Sequence, residues 1–173
     1  MALIFLDLET TGLDPRTDRI LELAAARVSE ALEPVDGFST VILPNPGVLA
    51  CPPGYVYDMH TRNGLLAEIS EERGVTLSAA LQGFTAWLAA QPDTPHTLAG
   101  NSVHFDLGFL REWMQPAAEM FSHRLLDVTA LQIARRLAGK SACPIHAGDN
   151  HRAEGDVLAS MAQARWLLSR LTE

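Results

Sequence analysis

The chain opens on an unbroken apolar run, Ala2-Leu3-Ile4-Phe5-Leu6, closed by Asp7 and Glu9. A short continuous apolar run fits a strand buried on both faces. Thr11-Gly12-Leu13-Asp14-Pro15 carries turn chemistry. Ile20 to Val28 is apolar with Glu22 interrupting it, and predicts a second strand. Phe38 to Leu43 predicts a third, ended by Pro44-Asn45-Pro46-Gly47. Residues 44–64 hold four prolines, which predicts an irregular loop with short helical turns around Tyr55 to Leu65. Ser78 is placed to cap a helix whose face is Leu81, Phe84 and Leu88. Pro92 to Pro95 ends it, and Thr97-Leu98-Ala99 predicts a short strand.

Helices fill the rest. One follows Asp106 with Leu107, Leu110 and Met114 on its face; another begins near Asp127 with Val128, Leu131 and Leu137 inward. Residues 139–150 predict a loop. The last helix carries the stripe Val157, Met161, Ala164, Leu168 and Leu171. Three strands, a helix, a strand and then helices predict an α/β fold, a mixed central sheet flanked by helices. No repeat or linker divides the 173 residues, so one domain over 1–173 is expected.

Composition adds exclusions. With 47% hydrophobic and 20% charged residues, the chain is neither disordered nor fibrous. Its apolar runs are too short to span a bilayer, and Met1 leads directly into a strand without a basic leader. No membrane partner is expected. Cys51 and Cys143 form no metal-ligand spacing and read as two free thiols in a reducing cytoplasm. The net charge of −8 argues against long, salt-sensitive binding along a nucleic-acid backbone. It does not argue against a nuclease, because bound divalent cations bring their own positive charge to a phosphate.

Asp7 and Glu9 lie two residues apart, so on a strand both side chains leave one face. Two carboxylates there repel each other and are costly to desolvate, and a divalent cation removes both problems. As a pair alone they read first as two ordinary surface acids at a solvated strand end. Asp106, at the end of Asn101-Ser102-Val103-His104-Phe105-Asp106, is placed to cap a helix; strand ends that share a sheet edge give it a second use. On one helix His151 and Asp156 would stand about 140° apart. The economical arrangement puts His151 on the preceding loop and Asp156 in the helix's first turns. An imidazole beside a metal-bound water can take its proton near neutral pH.

Together these pieces resemble the DEDDh 3′→5′ exonuclease superfamily on the ribonuclease H-like fold. Asp7-Leu8-Glu9 matches its first motif, Asn101-x3-Phe105-Asp106 its second and His151-x4-Asp156 its third. Asp7 to Pro15, Gly100 to Val103, Arg124 to Val128, Ala134-Arg135-Arg136 and His60-Thr61-x-x-Gly64-Leu65 are similar to the oligoribonuclease branch. The resemblance implies a two-metal phosphodiester hydrolase. Asp7, Glu9, Asp106 and Asp156 would hold two Mg²⁺ or Mn²⁺ ions, His151 would be the general base, and nucleoside 5′-monophosphates would be released.

It also implies substrate contacts. Leu13 and Tyr55 would wedge against terminal bases, Ser102 and Arg124 would hold a phosphate, and Thr129 stands where the branch has serine. His60 and Asn101 join this set through their motifs. The partner implied is single-stranded nucleic acid, short RNA favoured over DNA. His123 replaces the branch's aromatic residue, which reaches across a dimer; a homodimer is therefore left open. Two rivals stay open as well. One is a DNA-directed, proofreading-type exonuclease, and the other is a non-catalytic nucleic-acid-binding accessory domain.

Overall fold

The computed structural model describes residues 2–45, 51–92, 94–146 and 150–170. β1 (Leu3–Thr10), β2 (Ile20–Val28) and β3 (Pro34–Leu43) form an antiparallel meander. Two helices follow, α1 (Tyr55–Arg62) and α2 (Leu65–Ser70), then the short β4 (Val75–Thr76) and α3 (Leu77–Ala89). The second half runs β5 (His96–Gly100), α4 (His104–Trp113), α5 (Gln115–Ala118), β6 (Phe121–Asp127), α6 (Val128–Leu137) and α7 (Ala153–Leu168).

Six strands make one mixed sheet in the order β4-β3-β2-β1-β5-β6. β1 is central, antiparallel to β2 and parallel to β5. Its pleat sorts the core into two layers. Ile4, Leu6 and Leu8 pack with Phe84, Leu88, Phe109, Leu110 and Met114 on one side. Phe5 packs with Val157, Met161, Ala164 and Leu167 of α7 on the other. Asp7 and Glu9 continue the pleat on the α7 side, where the apolar run of β1 gives way to acid. No helix among the described residues is long and apolar enough to cross a membrane.

The expected α/β architecture is present, with several differences in detail. β1 continues through Thr10, so Asp7 and Glu9 lie inside the strand rather than closing it. β3 begins at Pro34, four residues before Phe38, because cross-strand pairing with β2 extends over a polar stretch. The cap of α3 is Thr76, whose hydroxyl accepts from the Ala79 amide at 3.2 Å, and not Ser78. α4 starts at His104, which puts Asp106 in the first turn instead of at the cap. Leu137 ends α6 exposed rather than inward. Asp127 does cap α6, accepting from the Ala130 amide at 3.2 Å. β6 is an element the sequence reading lacked. Leu171 and part of the 44–64 and 139–150 segments lie outside the described residues.

Candidate active site

Asp7, Glu9 and Asp156 converge. One carboxylate oxygen from each lies within 4.8 Å of the others. β1 supplies the first two from one side of its pleat, and the first turn of α7 supplies the third. Glu9 is 7% exposed. Asp106 of α4 lies outside that trio but close enough for its charge to act on Asp7, and its Oδ1 accepts the Leu8 amide at 3.0 Å. A bond from the β1 main chain to the Asp106 side chain therefore ties α4 to the point between the two β1 acids.

Burial dominates the electrostatics. It raises the Asp7 carboxyl well above its ordinary range, and the charges of Asp106, Glu9 and Asp156 add to the effect. Burial pushes Glu9 up to about 8, with Asp156 contributing next. Asp106 rises to about 7 for the same first reason, opposed by backbone N–H groups including that of Leu8. Asp156 is also raised by burial, while the nearby His151 draws it back. Among the described residues, no arginine or lysine pairs with Asp7, Glu9, Asp106 or Asp156. Carboxylates held this close and this dry form an all-oxygen donor set suited to a hard divalent cation.

His151 precedes α7 on the loop, exposed and in the left-handed region at φ 38°. Its carbonyl accepts from Nδ2 of Asn63. It lines an open hollow of about 440 Å³ together with Glu22, Asn150, Arg152, Gly155 and Asp156. His151 thus lies on the loop ahead of α7, with Asp156 lining the same hollow and feeling its charge.

The residues expected to contact substrate divide into two groups. Leu13 and Tyr55 are 78% and 74% exposed, and Arg124 is exposed on β6. These are available to a ligand. His60 is fully buried; its Nε2 donates to the Thr10 carbonyl at 3.0 Å, and burial lowers its pKa, so it is a neutral ring. It cannot touch substrate from there and instead supports the end of β1. Asn101 is likewise committed inward. Its amide nitrogen donates to Ser160 Oγ and Gln163 Oε1 at 2.8 Å, and its oxygen accepts from Thr129 and Gln132. Thr129 Oγ1 in turn accepts the Ser102 amide at 3.1 Å. Asn101 and Thr129 are framework around Ser102, which sits at φ 48°.

Two charged residues to which the sequence assigned no role in the site, Glu22 and Arg152, belong to its surroundings. Glu22 of β2 is 4% exposed and lies opposite Glu9 in the strand register. Arg152 grips it, Nη2 to Oε1 at 2.7 Å and Nε to Oε2 at 3.0 Å. The signal was present: a glutamate in an otherwise apolar strand needs a partner.

A family profile for the exonucleases of the RNase T type matches residues 4–164. The chain belongs to the RNase T exonuclease family. It is 32% identical over 167 residues to an oligoribonuclease of Tropheryma whipplei, covering 93% of this chain and 88% of that one. It is 34% identical over 170 residues to an oligoribonuclease of Streptomyces coelicolor, covering 95% and 84%. In three dimensions it resembles E. coli exonuclease I solved with a dT13 oligonucleotide (TM-score 0.75, 20% identity, 98% of this chain). Exonuclease I of Methylocaldum szegediense is similar, with TM-score 0.74 and 22% identity over 99% of this chain. The chain spans 41% of the length of each of these structures, and the likeness is one of fold.

Proposed function

We propose that this RNase T exonuclease removes nucleoside 5′-monophosphates one at a time from the 3′ end of short single-stranded oligoribonucleotides. The observation that carries the reading is the convergence of Asp7, Glu9 and Asp156, with Glu9 buried, Asp7 and Asp156 half-buried and no arginine or lysine paired with them among the described residues, next to the exposed His151. The oligoribonuclease relatives, matched over most of their length, support short RNA as the substrate.

Two divalent cations, Mg²⁺ or Mn²⁺, held by Asp7, Glu9, Asp106 and Asp156 would neutralise phosphate charge and acidify a water. The chain's own side chains do the rest. His151 Nδ1 or Nε2 accepts the proton of the attacking water, and exposure at the mouth of the site lets it pass that proton to solvent. Leu13 and Tyr55 offer sequence-tolerant surfaces for the terminal bases. Ser102 and Arg124 hold a backbone phosphate, Arg124 through its guanidinium. The two buried free thiols fit a reducing cytoplasm.

The test is to incubate the purified chain and Mn²⁺ with 5′-labelled RNA and DNA oligomers from a dinucleotide upward and compare initial rates. The expected result is stepwise shortening from the 3′ end, fastest on short RNA and abolished by EDTA. Faster hydrolysis of DNA would move the substrate class. No hydrolysis of either would overturn the enzymatic reading.

A further inference from the structure

The hollow beside the acidic cluster is bounded by an ion-paired arginine that the reaction does not itself use. Arg152 follows His151 directly. Its Nε reaches both oxygens of Glu22, at 3.1 and 3.0 Å, its Nη2 reaches Oε1 at 2.7 Å, and its Nη1 reaches Glu68 Oε1 on α2 at 2.9 Å. Glu22 Oε2 also accepts the amide of Ala153, the first residue of α7, at 3.0 Å. Both residues that follow His151 are therefore fixed to one buried carboxylate on β2. On the other side, Asn63 of the α1–α2 junction donates to the His151 carbonyl, and its own oxygen accepts the Leu65 amide at 3.0 Å.

His151 sits between these two attachments in the left-handed backbone region, which is uncommon for a residue other than glycine. Such a conformation persists only where its surroundings over-determine it. A buried ion pair is weak evidence for stability, because well-packed apolar residues often do as well; its geometric specificity is the better reason for its presence. Bidentate guanidinium–carboxylate pairing fixes orientation as well as distance.

We propose that Arg152, clamped by Glu22 and Glu68, is a positioning residue that holds His151 at the mouth of the acidic cluster. The inference rests on the reading of His151 as proton acceptor. Displacing a reacting group by about an ångström can cost on the order of a hundredfold in rate, and losing a general base costs about a hundredfold or more. The clamp therefore acts on kcat, and it acts through His151.

The experiment is a double-mutant cycle on a short oligoribonucleotide at saturating Mn²⁺. Arg152→Gln is expected to lower kcat about tenfold or more with KM nearly unchanged, and Arg152→Lys to recover part of the loss. Added to His151→Ala, Arg152→Gln should lower kcat no further, because coupled residues are non-additive. Hydrogen exchange at the Ala153 amide, followed without metal, should quicken in Arg152→Gln. Full kcat in Arg152→Gln while His151→Ala is slow overturns the clamp and leaves the proton acceptor standing. An additive loss in the double variant also overturns it. A His151→Ala enzyme at full rate overturns the reading of His151 and the clamp with it. If Arg152→Gln melts too low to assay, Glu22→Gln/Arg152→Gln, which leaves no buried charge unpaired, is read in its place by the same outcomes.

Discussion

Glu9 and Glu22 stand opposite each other across β1 and β2, both nearly buried and on the same side of the sheet. Their surroundings differ completely. Glu22 has a guanidinium and a backbone amide on its oxygens. Among the described residues Glu9 has no arginine or lysine within pairing distance; the neutral His60 ring stands 3.8 Å away, and burial pushes its carboxyl up to about 8 against the weaker pull of the Arg152 charge. The first arrangement is complete when the chain folds. The second is left short of positive charge, as Asp7 and Asp156 are beside it. Buried acids that the protein does not neutralise are reserved for something that arrives later, and that contrast separates the site from its scaffold.

The most forceful way to break the comparison is Asp7→Asn. Turnover on short RNA should fall by about a thousandfold or more, since several kcal/mol of charge stabilisation are lost at about 1.4 kcal/mol per tenfold. In EDTA the same variant should melt no lower than the parent, because a repulsive buried charge has been removed. Retained turnover would refute the ligand assignment.

Glu22→Ala should do the opposite to the fold. It leaves Arg152 with Glu68 alone and the Ala153 amide without its acceptor, so urea unfolding should show a loss of about 3 kcal/mol, the low end for a broken buried pair because Arg152 keeps one partner and its side chain is 22% exposed. Glu9→Gln in the metal-free protein should cost far less. Equal losses at the two positions would erase the distinction.

The smallest effect is a slope. Asp7, Glu9 and Asp106 hold protons more tightly folded than unfolded, with Glu9 at about 8 and Asp106 at about 7. Unfolding then releases protons, so metal-free stability is greatest below the unfolded-state values near pH 4 and declines as pH rises toward 8. Melting temperatures in EDTA should fall across that window, and Mn²⁺ should flatten the decline. A rise with pH would contradict the burial of these acids.

The acidic cluster could be read from the chain through three motifs taken in order, since each piece alone also reads as a surface acid or a cap. Asp7 and Glu9 share a strand face by period alone, and His151 and Asp156 could not share a helix face, which forced one onto the loop. The scaffold was harder. The Glu22–Arg152 pair joins residues 130 apart in sequence, and nothing local announces the partner. β6 escaped notice because Ser122, His123 and Arg124 make the start of this edge strand polar. Ser78 is a cap by residue type, but the backbone path gives that position to Thr76, two residues earlier. His60 and Asn101 were legible as motif residues but not in their direction. Burial turns the first toward Thr10, and a network of Ser160, Gln163, Thr129 and Gln132 turns the second inward.

The bond from the Leu8 amide to Asp106 has a wider consequence. It joins the middle of β1 to α4 at a point flanked by Asp7 and Glu9, so the spacing between helix and strand acids is inherited from the main chain. Small repacking beneath α4 would shift Asp106 and its neighbours as a unit instead of splaying them apart. A scaffold built this way can accumulate substitutions in its apolar layers while keeping its reactive corner in calibration.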